Sequence, residues 1–222
     1  MVNVNDFKSP DAGTQDRLEM IFARQRELME KYHHIESKNG LLLDHNIPVD
    51  IHHRMGQARL KDMAWRTVEE LCETMDAHLQ GAEADHAREE IADAFHFLVE
   101  FAILSDFPLD QFDFDHDSEP DDDRLKKLFD YSDLFCRDLD KGVEFRFTLV
   151  VTRLGMTCHT LKNKPWKTSH MLTDKFLFNL RLRNVFLYFI YLAQGFGMDA
   201  QMLYDYYFRK SEVNKFRQRS DY

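Results

Sequence analysis

Apolar residues recur every three or four positions along most of this chain, and the pattern breaks at only a few turn-forming residues. Between 13 and 36, Leu18, Ile21, Phe22, Leu28, Met29 and Tyr32 fall close to a 3.6-residue period, which predicts a helix. Asn39-Gly40 is a turn signal, and 41–56, which contains Pro48, reads as a loop. A second helix is predicted over 57–79, with Leu60, Met63, Ala64, Val68, Leu71, Cys72, Met75 and Leu79 in one stripe. A third is predicted over 85–106, with Asp85 as its cap and Ile91, Ala94, Phe95, Leu98, Ala102 and Ile103 as its apolar face. The acidic segment 107–123, interrupted by Pro108 and Pro120, reads as a solvated connector. Helical periodicity returns over 124–137, 142–162 and 173–196. Gly197-Met198-Asp199 ends that stretch, and a final helix is predicted over 199–209 before a polar tail, 210–222.

The pattern predicts an all-α chain, and composition agrees. Only 8 Gly and 5 Pro punctuate 222 residues, too few for many short strands. A chain of this length is read as a single domain able to bury a real core. Within it, a first half spans about 13–106 and a second half about 124–209. Ala92–Leu109 aligns with Arg183–Ala200 at an offset of 91, so that Phe95 falls on Phe186 and Ala102 on Ala193. Asp93 falls on Asn184 and Glu90 on Arg181, so the repeat keeps its packing positions and loses its acids.

Charge narrows the function. The formal net charge of −10 argues against nucleic acid as the main partner, because duplex binding needs a basic face, and acidic clusters suit metal cations. Cys72, Cys136 and Cys158 match no zinc spacing and read as reduced core thiols. The longest uninterrupted apolar stretch, Val185–Ala193, is too short to span a membrane, and the polar start lacks a secretory h-region. A cytoplasmic protein is expected.

Candidate chemistry lies on the second and third helices. Glu70-x-x-Glu73-x-x-Asp76 and Glu90-x-x-Asp93-x-x-His96 each place carboxylates three residues apart, on one helix face. A short connection makes the two helices an antiparallel hairpin, which brings four carboxylates toward one volume. Crowded carboxylates repel and take up protons unless a cation neutralises them. Hard oxygen ligands suit Mg²⁺, with Mn²⁺ as a substitute, and Mg²⁺ keeps water positions open for phosphate oxygens. An isolated ExxE is usually a solvated face. Asp93, however, precedes Ala94-Phe95-His96-Phe97-Leu98, where a solvated face is a poor explanation. A di-iron bundle would want Glu-x-x-His on both facing helices; the third offers Asp93-x-x-His96, and Glu73-x-x-Asp76 on the second supplies no second His, so His96 reads more readily as a satisfied core histidine.

These stretches resemble the all-α dimeric dUTPases and phage dCTPase-dUTPases, relatives of the MazG-like pyrophosphatases. Glu70-x-x-Glu73-x-x-Asp76 is one matching stretch. Glu90-Ile-Ala-Asp93-Ala-Phe-His96-Phe97 is similar to the family's E-x-x-D-x-x-H-F helix. Lys210-Ser-Glu-Val-Asn214-Lys-Phe-Arg217-Gln218-Arg-Ser-Asp-Tyr222 is similar to its K-x-x-x-N-x-x-R-Q-x-x-G-Y ending, with Asp221 in place of Gly. The resemblance implies a MazG-like helical bundle with a degenerate internal repeat, acting as a homodimer. It implies Mg²⁺-dependent hydrolysis of a deoxynucleoside triphosphate to monophosphate and pyrophosphate, dUTP first and dCTP second; the alternatives are a MazG-like pyrophosphatase for another or modified deoxynucleoside triphosphate, or a catalytically silent helical binding protein. Glu70, Glu73, Glu90 and Asp93 would form the catalytic metal site. Lys210, Asn214, Arg217 and Tyr222 would line the phosphate side, and Gln25 would contact the base. Four residues on, where the dUTPases carry Asn, stands Met29, which offers a uracil edge no such hydrogen bond. Trp166 and Lys167 resemble the family's Trp/Lys loop as substrate-binding residues, although here the loop follows the helix of the second half. The base, and which carboxylate acts as general base, stay open.

Overall fold

The computed structural model describes residues 8–40, 44–114, 123–139, 141–164 and 166–219. Among them it contains seven α-helices and no strand: α1 (Arg17–Lys38), α2 (Arg54–Leu79), α3 (Ala84–Leu104), α4 (Arg124–Cys136), α5 (Val143–His159), α6 (Lys175–Gly195) and α7 (Ala200–Arg219). Side chains cap several starts: Asp16 accepts from the Leu18 amide, and Asp174 from that of Leu177. At α3 the predicted cap is corrected. Glu83 holds the N-cap position without a side-chain bond, while Asp85 accepts from the Tyr206 hydroxyl and from Arg88.

α2 and α3 form the antiparallel hairpin expected from their short link, where Gly81 adopts a φ of +68° that a side chain would strain. α5 and α6 form a second hairpin. α6 spans 175–195 and α3 spans 84–104, a displacement of 91 at both ends, the same offset as the sequence repeat. The two helices meet at the aromatic centre of the core. Phe95 stacks on Phe189 with centroids 5.3 Å apart and meets Phe186 edge-on at 6.2 Å. By length and composition α6 is long and apolar enough to cross a membrane, but 61% of its apolar window is buried inside the fold. It is the core helix, wrapped by α5, α4 and α3. Phe95 is fully buried among three aromatic rings. Phe95→Ala is therefore expected to lower unfolding free energy by about 3–5 kcal/mol, read from urea denaturation.

Three expectations are revised. The connector is not solvated along its described part. Leu109–Phe112 forms a 3-10 turn, Phe107 and Phe112 are buried, and Phe114 stacks on Tyr131 at 4.0 Å. Alternate aromatic residues outweigh the intervening aspartates. Residues 115–122 lie outside the described part. Cys72 is exposed, so only Cys136 is a fully buried thiol. The helix predicted to end near 209 runs to Arg219. Contacts with α1 hold this polar extension: Lys215 pairs with Glu27 at 3.1 Å, Arg24 with Glu212 at 3.5 Å, and Gln218 Nε2 donates to the Leu28 carbonyl at 3.3 Å.

Candidate active site

The α2–α3 hairpin places Glu70 opposite Glu90 and Asp93. One carboxyl oxygen from each lies within 4.8 Å of the others, the one such group among the described residues. Glu73, one turn beyond Glu70, stays exposed at the rim, where its charge still bears on Glu70 and Glu90. Asp76 is exposed a further turn away.

Electrostatics show what the cluster needs. Burial pushes the Glu70 carboxyl up to about 7, and the like charges of Asp93, Glu73 and Glu90 push the same way. Burial also raises Glu90 and Asp93, with Lys210 opposing the shift in both. The Lys210 ammonium sits 2.6 Å from Asp93 Oδ2, and His86 Nδ1 lies 3.3 Å from Glu90. Oxygen-only donors, half-buried and already attracting an ammonium group, fit a hard divalent cation.

α7 closes one side. Lys210, Asn214 and Arg217 follow the i, i+4, i+7 spacing of one helix face. Asn214 and Arg217 line, with Glu70, Asp93, Phe97 and Glu100, a cavity of about 240 Å³ that runs away from the acids. Tyr222 lies outside the described residues. Lys210→Ala is expected to raise KM by about 10–100-fold, the range for losing a hydrogen bond to a charged group, in initial-rate measurements.

The opposite end of the cavity holds Gln25. Its side chain is buried, with Oε1 2.8 Å from His96 Nδ1 and Nε2 donating to Glu100 Oε2 at 3.1 Å. His96 Nε2 donates to the Tyr207 carbonyl at 3.1 Å, and its ring stacks on that of Tyr207. Burial depresses His96 to about 3, so it is the satisfied core histidine expected from its setting. Glu100 was not singled out by sequence pattern, although the signal was present. It lies in Leu98-Val99-Glu100-Phe101-Ala102, as apolar a setting as that of Asp93, and seven residues on from Asp93, on the same helix face.

Trp166 and Lys167 are placed elsewhere. Trp166 is exposed, and the Lys167 carbonyl accepts from Arg54. Arg54 precedes Glu70 by sixteen residues along α2, about 24 Å of helix. The chain does not bring this loop to its own acid cluster, because Asn163 and Thr173 anchor the loop's two ends to the start of α2 through Gln57.

An all-α bundle that gathers carboxylates and a cationic helix around one cavity suits a cation and a phosphate group together. A dUTPase family model, that of the all-α dimeric dUTPases, matches residues 77–222. The chain belongs to the dUTPase family, and is thus a nucleoside triphosphate hydrolase of nucleotide metabolism. The matched segment contains Glu90, Asp93, Lys210, Asn214 and Arg217; Gln25, Glu70 and Glu73 precede it. The family generally uses a divalent metal. No curated protein and no solved structure matches the chain.

Proposed function

We propose that this protein hydrolyses a pyrimidine deoxynucleoside triphosphate, dUTP or dCTP, to the monophosphate and pyrophosphate in a Mg²⁺-dependent reaction. The observation that carries this reading is the convergence of Glu70, Glu90 and Asp93 beside Lys210, at the mouth of a cavity ending on Gln25. Glu70, Glu90 and Asp93 would hold the ion, with Glu73 joining from the rim; Mn²⁺ suits the same oxygens. Bound there, the ion supplies neutralisation of the phosphate oxygens.

The chain's own groups do the rest. Lys210, which rests on Asp93, would donate to the phosphate chain, and Arg217 and Asn214 would hold further oxygens. A carboxylate of the cluster accepts the proton of the attacking water. The base enters beside Phe97 toward Gln25. Pairing of two chains is proposed from the family resemblance, and the net charge of −10 supports a reading in which nucleic acid is not the main partner.

A panel of deoxynucleoside triphosphates with Mg²⁺, read by chromatography, tests the proposal. The expected products from dUTP or dCTP are monophosphate and pyrophosphate in equal amounts. No turnover of any pyrimidine substrate would refute it.

A further inference from the structure

His96, Gln25 and Glu100 form an unbroken polar line through the wall between α1, α3 and α7, with Gln25 3% and Glu100 7% exposed. The hydrogen-bonding capacities along it can be counted. The Tyr207 carbonyl only accepts, so His96 Nε2 carries a hydrogen, and in a neutral ring Nδ1 is then a bare lone pair. The Gln25 amide has one donor end and one acceptor end, and its orientation is assigned from its neighbours. With its NH2 toward His96, its oxygen faces Glu100. With its NH2 toward Glu100, its oxygen faces the lone pair of Nδ1. If Glu100 is ionised and His96 neutral, either orientation sets two acceptors against each other at about hydrogen-bond distance. One added proton, on Glu100 or on Nδ1, removes the conflict. The Tyr207 hydroxyl, 2.8 Å from the same amide atom and 3.3 Å from the Ile21 carbonyl, serves both orientations.

We propose that the His96–Gln25–Glu100 line holds one proton in the active protein, and that Glu100 is thereby the positioning residue that fixes the Gln25 amide toward the base. The inference rests on the nucleotide reading above for its last step only; the proton count rests on the free protein. Burial favours Glu100 as the holder. Desolvation pushes its carboxyl up to about 7, and pushes the His96 imidazole down to about 3. Around Glu100 stand Glu36 and Tyr32 from α1, Arg59 and Arg66 from α2, and Tyr207 from α7, with Arg217 on the same cavity. The two arginines lower Glu100 and Glu36 raises it, so burial decides the direction. Held as an acid, Glu100 donates to the Gln25 oxygen, and the amide NH2 turns to His96 and Tyr207. Once the proton leaves, neither orientation is free of conflict, and the edge shown to the base is no longer held as an acceptor.

The test has two arms. In the free protein, ¹³C and ¹⁵N spectra of the Glu100 carboxyl and the His96 ring, taken at the pH where kcat/KM is highest, should find one proton between them. An ionised Glu100 beside a neutral His96 in that sample overturns the proposal. In the enzyme, KM for the accepted substrate should rise about tenfold per pH unit above the Glu100 midpoint, with kcat following a separate profile. Glu100→Gln carries a permanent donor and acceptor, so its KM, whatever its size, should lose that pH dependence. A variant profile that rises as steeply as wild type overturns the proposal as well. Absence of all hydrolysis would count against the nucleotide reading, while the spectra would still decide the proton.

Discussion

Asp93→Asn is expected to lower kcat by about 10²–10³-fold, the usual loss when one preorganised electrostatic contact to the reacting group is removed. Asp93 is the residue at which the two halves of the site meet. It contributes to the oxygen triangle with Glu70 and Glu90, and it also holds the Lys210 ammonium at 2.6 Å. The amide keeps the side chain's volume and loses its charge. Fold and cavity should survive while metal affinity drops and Lys210 loses its resting partner. Quenched-flow or steady-state pyrophosphate release with circular dichroism as a folding control makes the comparison. Near-wild-type turnover in a folded Asp93→Asn protein would remove Asp93 from the machinery.

The second large effect concerns stability and its dependence on pH and metal. Glu70 has a carboxyl raised from 4.5 to about 7 in the folded chain, and Glu90 and Asp93 are raised too. A carboxyl that binds its proton more tightly when folded contributes stability below its unfolded value and loses it as pH rises through the folded one. Relative to Glu70→Gln, the metal-free protein should therefore lose Tm between about pH 4.5 and about 7, the window set by Glu70; the depressed His33 and His96 act with the opposite sign in both proteins and cancel in the difference. Mg²⁺ should reverse the loss at the upper end, where the acids are ionised and free to bind. At about 100 times Kd, the gain is about 2.7 kcal/mol. For a chain of this length that corresponds to about 5–11 °C in Tm. Differential scanning calorimetry at the two ends of the window, with and without Mg²⁺, measures both signs. A metal-free Tm that does not fall toward neutral pH relative to Glu70→Gln, or that Mg²⁺ leaves unmoved, would contradict the electrostatic account.

The legibility of the fold follows from where burial is one-sided. α2 and α3 carry strong apolar stripes, and their predicted bounds, 57–79 and 85–106, fall within three residues of the observed Arg54–Leu79 and Ala84–Leu104. The repeat offset of 91 is repeated in the bounds of α3 and α6 because both are core helices meeting the same aromatic centre. The end of α7 was not legible. Beyond 209 its positions are mostly polar, and what holds it is a set of ion pairs and a Gln218 hydrogen bond to α1, partners that sequence spacing does not reveal. The turn at Leu109–Phe112 was hidden by composition, since aspartates outnumber the phenylalanines that bury.

The site was legible to the same degree. Paired carboxylates on a hairpin converge because helix periodicity dictates it, and Glu70, Glu90 and Asp93 come together accordingly. Glu73 remains exposed at the rim, one turn along α2 from Glu70. Glu100 shares the apolar surroundings that made Asp93 informative, yet belongs to no short motif of carboxylates, and only its contact with Gln25 across the bundle reveals it. Trp166 and Lys167 show the reverse. Their loop is tied to the beginning of α2 by hydrogen bonds among Gln57, Asn163 and Thr173, a long-range arrangement that local spacing does not carry.

Calorimetric titration of the metal-free protein with Mg²⁺ at about neutral pH, beside Glu90→Gln and Asp93→Asn, tests the metal assignment most directly. The arrangement of Glu70, Glu90 and Asp93 predicts saturable binding in wild type and an affinity loss of about tenfold or more in each folded variant, a loss of about 1.4 kcal/mol. Equal Mg²⁺ affinity in all three proteins, or no binding in wild type, would contradict it.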